Sequence, residues 1–178
     1  LERAFADNND DYGRKLYLIE NCLYGVDIQP IAIQITKLRF FISLVCDQKT
    51  NRNKKENHGI RPLPNLETKF VAADTLIGLP IQNFDNRDFL YETNVGPLEK
   101  EIESAYHSHF TIQRRDQKLA LQKKIKGLRQ KLADTLLEGL GAKKGSEVAK
   151  KAQHLAEWDP FDPQSSADFF DPHWMFGR

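Results

Sequence analysis

Between Cys22 and Thr75 the chain holds two short apolar runs, each closed by an aspartate, with one long amphipathic segment between them. The first run, Cys-Leu-Tyr-Gly-Val-Asp-Ile at residues 22–28, suits a strand of a parallel sheet. Such strands are covered on both faces and lose the alternation of apolar and polar residues. Pro30 follows at a position where the first turn of a helix has no use for an N–H. Ile31, Ile35, Leu38, Ile42 and Val45 then recur at spacings of four and three, which gathers them on one helix face, predicted here to pack on the sheet. The opposite face carries Gln34, Lys37 and Arg39, or faces a second layer through Phe40 and Phe41. A polar loop over residues 47–66, punctuated by Gly59, Pro62 and Pro64, separates this helix from a second apolar run, Lys69 to Ala73, closed by Asp74. Strand, helix and strand in this order make the parallel crossover of an α/β sheet.

The rest of the chain reads differently. A weakly helical stretch around Arg14 to Glu20 precedes the first strand, with Leu16, Tyr17, Ile19 and Leu23 as its apolar surface. Beyond Pro80, residues 97–109 place Leu98, Ile102, Ala105 and His109 on one helical face. Residues 114–140 do the same with Leu121, Ile125, Leu128, Leu132 and Leu136. Two amphipathic segments joined by a polar turn around Thr111 to Gln113 predict an antiparallel helical hairpin. Its contact is expected at Leu98, Ile102, Leu121, Ile125, Leu128 and Leu132. Gly139, Gly141 and Gly145 end it, a short helix runs from Ser146 to Glu157, and Trp158-Asp-Pro-Phe-Asp-Pro turns the chain into an aromatic loop over residues 169–177. The organisation expected is a partial α/β unit over 1–82, a helical insertion over 83–157 and an aromatic segment over 158–178.

Composition excludes little: 40% hydrophobic and 29% charged residues are ordinary for a soluble domain, and a net charge of +1 can hide a local basic stripe. Cys22 and Cys46 lack metal-ligand spacing and stand in apolar surroundings, so they are expected as buried thiols of a reducing, cytoplasmic compartment. No run reaches the ~18–20 apolar residues of a membrane helix, and no signal peptide opens the chain. Met175 is the only methionine, and the sequence is expected to be an internal piece of a longer polypeptide.

Ligands of open α/β sheets bind beyond the carboxyl ends of the strands, where Asp27 and Asp74 stand. A carboxylate at the first end can accept from both hydroxyls of a ribose, and one at the next end can accept from the amino group of an adenine. Ile28 and Thr75 flank the base in this reading. The plainer alternative is that both acids cap loops and face water. His107 and His109, two apart on a helix, cannot share a face, and no metal site is expected. Arg114, Arg115, Lys123, Lys124 and Lys126 belong to a basic run, with Lys118, Arg129 and Lys131. That run either follows a phosphate backbone or forms a solvated helix face; the solvated face is the plainer reading.

Residues 23–40, Leu-Tyr-Gly-Val-Asp-Ile-Gln-Pro-Ile-Ala-Ile-Gln-Ile-Thr-Lys-Leu-Arg-Phe, resemble the second motif of the large adenine-specific DNA methyltransferases. These occur in fused type II restriction–modification enzymes and related phage-defence systems. Residues 62–77 resemble the stretch around their third motif, and Trp158-Asp-Pro-Phe-Asp-Pro with Phe170-Asp-Pro-His-Trp-Met-Phe-Gly resembles the segment before their fourth. The resemblance implies part of a Rossmann-like sheet that binds S-adenosylmethionine. In it, Asp27 holds the ribose, Ile28 touches the adenine ring, Asp74 accepts from the adenine amino group and Thr75 lies beside the ring. The partners implied are double-stranded DNA and the remainder of the same polypeptide. The glycine-rich first motif and the Asn-Pro-Pro-aromatic fourth motif do not occur in these residues. The fourth holds the extruded target base, so no catalytic residue is assigned and the chain alone is expected to be inactive. Two other readings stand beside this one. A non-catalytic helical module could bind DNA or a partner, and a nicotinamide-dependent dehydrogenase would also suit a strand-end acid such as Asp27.

Overall fold

The computed structural model describes residues 10–78, 94–139 and 147–176. The expected boundary at 82/83 and the glycines Gly141 and Gly145 lie outside the described residues, as does the side chain of Leu136. Helix α1, Asp11–Asn21, opens at Asp10, whose carboxylate accepts the Gly13 N–H at 2.7 Å. This satisfies one of the donors that a helix start leaves unpaired. Strand β1, Gly25–Asp27, leads to helix α2, Pro30–Cys46, with Pro30 in its first turn as predicted. Strand β2, Phe70–Ala72, lies parallel to β1 in the register Gly25↔Phe70, Val26↔Val71 and Asp27↔Ala72. The predicted crossover is present, with strands shorter than the apolar runs that announced them.

Along β2 the side chains alternate between two cores, as the pleat requires. Phe70 and Ala72 enter a cluster with Tyr12, Ile19, Ile33, Leu44, Leu66 and Phe110. Val71 and Ala73 enter another with Leu155, Trp158, Ala167, Phe169 and Met175. The strand is therefore buried on both faces, which explains its unbroken apolar character. Beyond it, isolated parallel bridges join Ala73 to Ala167 and Gly78 to Phe170.

Two expectations fail here. Helix α2 meets the sheet through Ile33, Leu44 and Phe40, whose ring stacks on Phe70 at 4.8 Å. The predicted face of Ile31, Ile35, Leu38, Ile42 and Val45 points the other way and is 53–64% exposed. Both faces of α2 are apolar, and periodicity chose the one with stricter spacing. Cys22 and Cys46 are exposed thiols rather than core residues. Cys22 caps the end of α1 and Cys46 is the last residue of α2, so apolar neighbours in sequence are not neighbours in space.

The hairpin forms as expected. Helices α3, Gly96–Thr111, and α4, Arg115–Gly139, are joined by a three-residue turn and enclose Leu98, Ile102, Leu121, Ile125, Leu128 and Leu132. Helix α5, Glu147–Glu157, packs on α4 through Ala133, Ala152 and Ala156, and the short α6, Pro172–Phe176, closes the described chain. Asn65 ties the hairpin to the sheet: its Nδ2 donates to the carbonyls of His109 at 2.8 Å and Ile112 at 2.7 Å. Those carbonyls lie at the end of α3, where a helix offers acceptors without partners.

Candidate functional site

Asp27 is the last residue of β1, and its carbonyl accepts the Ala73 N–H at 2.9 Å. Asp74 follows directly, so both acids stand at the same carboxyl edge of the parallel pair. In each, one carboxylate oxygen is already engaged. Asp27 Oδ1 accepts the Gln29 N–H at 2.8 Å, and Asp74 Oδ1 accepts the Leu76 N–H at 2.9 Å. These turns, two residues long, pin each carboxyl group against its own loop. Each Oδ2 has no hydrogen bond among the described residues; Asp27 is exposed and Asp74 half-buried. The capping role of the plainer reading is thus real, and it leaves half of each carboxylate for a ligand.

Ile28 is 61% exposed beside Asp27, and Thr75 is exposed beside Asp74. At the other end of β1 the Phe70 ring fills the space beside Gly25, where a Cβ would stand 2.6 Å from its Cδ1. The aromatic segment borders the edge that carries the two acids. Ala167 donates its N–H to Ala72 and accepts the Asp74 N–H at 3.0 Å. Ser166 Oγ reaches the Ile28 carbonyl at 3.5 Å.

The basic run is not one surface. Lys118 turns inward to Asn65 Oδ1 at 2.6 Å and Glu67 Oε1 at 2.7 Å. Arg129 is only 3% exposed and donates to the carbonyls of Trp158 and Leu155. On the surface, Arg114 pairs with Asp116 at 3.2 Å and Lys124 with Glu101 at 2.8 Å, while Arg115, Lys123 and Lys126 are exposed. The position of Arg129, four after Ile125 and three before Leu132, marks it as part of the apolar stripe and was readable. For the Lys118–Glu67 pair the sequence holds no signal.

His109 is fully buried, its ring 4.8 Å from that of Phe161, and Gln122 donates to its Nε2 at 3.3 Å. Burial pushes its pKa down to about 4; Lys118 adds to the shift and Glu67 opposes it. Burial is the largest influence on the Glu67 carboxyl and acts to raise it, but the Lys118 hydrogen bond, a backbone hydrogen bond and the neighbouring charges of Lys118 and His109 together outweigh it and hold the group below its ordinary value. His107, in contrast, faces Glu20 at 3.5 Å on the surface. The two histidines do not meet, and the described residues hold no group of metal-ligating side chains. Nor does any described helix have the length and apolarity to cross a membrane.

The strand-end acids, the parallel pair and the bordering aromatic segment all lie within or next to a region of known relationship. The Eco57I restriction-modification methylase family matches residues 21–163. A protein of Methanocaldococcus jannaschii, named for a type II restriction enzyme and methyltransferase, is 35% identical over 82 residues, which are 46% of this chain and 7% of that protein. The chain therefore spans a small part of the length of the curated relative it matches. No solved structure matches it. The match of the family over most of the sequence is decisive: the chain belongs to the Eco57I restriction-modification methylases.

Proposed function

We propose that these residues form part of the S-adenosylmethionine pocket of a DNA adenine methyltransferase, in a restriction–modification or phage-defence system. The observation that carries the reading is the pair of carboxylates at one sheet edge, each with one oxygen pinned and the other without a hydrogen bond among the described residues. Their chemistry fits the cofactor. Asp27 Oδ2 accepts from the ribose hydroxyls, Ile28 covers a face of the adenine ring, and Asp74 Oδ2 accepts from the adenine amino group beside Thr75. The pinned oxygens keep both carboxylates from turning away, so little rotational freedom is lost on binding. When bound, the cofactor supplies the methyl group. What this chain supplies is its orientation, and the groups that hold and polarise the target adenine belong to the rest of the polypeptide.

In this proposal the two strands are part of a larger Rossmann-like sheet, the hairpin is an insertion in it, and residues 158–178 lead toward the motif that holds the base. The chain by itself transfers no methyl group. The parent works on double-stranded DNA in the cytoplasm, and exposed Arg115, Lys123 and Lys126, with Arg114 and Lys124, are the part of the basic run still open to phosphates.

The test is calorimetry of S-adenosylmethionine with the full-length polypeptide, alongside transfer of labelled methyl groups to DNA. A hydrogen bond to a charged group contributes about 1.5–3 kcal/mol, so Asp27→Ala and Asp74→Ala should each weaken cofactor binding by roughly tenfold to a hundredfold. Nicotinamide dinucleotide in a parallel titration should show no heat. Wild-type affinity in both variants would remove these acids from the site.

A further inference from the structure

Helix α2 has two apolar faces and only one is covered. Ile33, Phe40 and Leu44 sit in the core against β2. On the opposite side Ile31, Ile35, Leu38, Ile42 and Val45 form an unbroken aliphatic stripe, each more than half exposed. A helix with apolar residues on two faces is normally packed on both, and no described helix suits a membrane. Contiguous exposed apolar patches are uncommon on soluble proteins and commonly functional.

The stripe itself says what lies on it. Its spacing of four, three, four and three is that of a two-heptad seam, the pattern by which one helix packs along another at a shallow angle. Beside it, sharing Leu38, is an open hollow of about 300 Å³ between α2 and the turn at Pro160 and Phe161. Lys37 and Glu67 also line this hollow, and Glu67 Oε2 is buried without a hydrogen bond among the described residues. Such a hollow has room for one large side chain of an occupant. Charge narrows the choice of occupant. Helix α2 carries Lys37 and Arg39 and no acid, and exposed Arg39 flanks the stripe. Two copies packed antiparallel about Leu38, the midpoint of the stripe, would set Arg39 against Arg39. A partner helix with an acid at that level would be attracted instead.

We propose that the outward face of α2 is the seat of an amphipathic helix from the same polypeptide, outside these 178 residues. That helix carries an apolar seam of matching spacing, acids opposite Arg39 and one large side chain for the hollow. The match to the relative covers only 7% of that protein, so a long polypeptide exists in the family to supply it. This places α2 in a middle layer, with the sheet on one side and a helical layer on the other. The inference does not depend on which ligand the strand-end acids hold.

Carbene footprinting of the unmodified full-length polypeptide, read residue by residue, tests it without any substitution that could disturb folding. The five stripe residues should be labelled at least tenfold less than Leu76 and Leu119, which are 93% and 55% exposed in this structure, and dilution should not change the protection. Labelling of the stripe at the level of Leu76 and Leu119 would show that nothing covers it and overturn the proposal. Protection that disappears on dilution would assign the seat to a second copy and overturn it equally.

Discussion

Arg129 offers the most direct quantitative test of the fold. Its guanidinium is buried, with Nη1 at 2.5 Å from the Trp158 carbonyl, Nη2 at 2.6 Å from the Leu155 carbonyl, and Cζ 4.5 Å from the Trp158 ring centroid. The Leu155 carbonyl belongs to the last turn of α5 and Trp158 stands just beyond it, where the helix dipole is negative and acceptors lack partners. Two hydrogen bonds from a charged donor contribute about 3–6 kcal/mol in all. Against this stands the cost of taking the cation out of water, which also pushes its pKa down, and Nε has no partner.

We expect Arg129→Met to cost about 2–4 kcal/mol, because it leaves two acceptors beneath an apolar side chain. Arg129→Lys should cost nearly as much, since one ammonium cannot span both carbonyls and lie flat on the indole. For a chain of this size 2–4 kcal/mol lowers Tm by roughly 5–12 °C. Urea unfolding followed by circular dichroism gives the number, and tryptophan emission should shift to the red as Trp158 loosens. A methionine variant within about 0.5 kcal/mol of the native chain would refute the reasoning. It would mean that desolvation cancels the bonds, as it does for many buried ion pairs.

Two further expectations are simpler. The His109 imidazole has its pKa pushed down to about 4 by burial, from an ordinary 6.5. The unfolded chain therefore binds the proton first, and stability that is complete above 6.5 drains as pH falls toward 4. The loss is of the order of 3 kcal/mol. Urea midpoints measured across that range should fall in the native chain and fall less in His109→Gln, whereas parallel slopes would contradict the burial. Gly25→Ala sets a Cβ 2.6 Å from the Phe70 ring, itself stacked on Phe40. It should cost about 1–3 kcal/mol by overpacking, and an unchanged Tm would show that the ring yields freely.

How far the sequence disclosed this structure depends on how many solutions a pattern admits. The hairpin has one apolar stripe per helix, so its contact residues could be named in advance, and those same residues touch. Helix α2 has two stripes. The regular spacing of Ile31 to Val45 outweighs the sparser Ile33, Phe40 and Leu44, yet the sparser set holds the aromatic ring that stacks on Phe70. Periodicity finds faces, and only tertiary packing says which face meets the sheet. The positions of Asp27 and Asp74 were legible because an acid ending an apolar run has few other places to stand. Asn65, Glu67 and Lys118 were not legible, because their partners lie 44 to 53 residues away in sequence.

The hairpin also acts on the strand-end site through a traceable path. Arg129 on α4 fixes the end of α5, and His154 on α5 meets Asp168 at 3.0 Å. That pair flanks Ala167, whose backbone bonds Ala72 and Asp74 on either side of Ala73. The edge of β2 that carries Asp74 is thus completed by a segment the helices hold in place, rather than by a neighbouring long strand. A three-residue strand has little ladder of its own, and a sheet this small is marginal without packing against helices. Loosening Arg129 should therefore reach Asp74 through the Ala167 bridge as faster amide exchange at both residues, while the amide of Gln29, held by the Asp27 carboxylate in its own turn, keeps its protection.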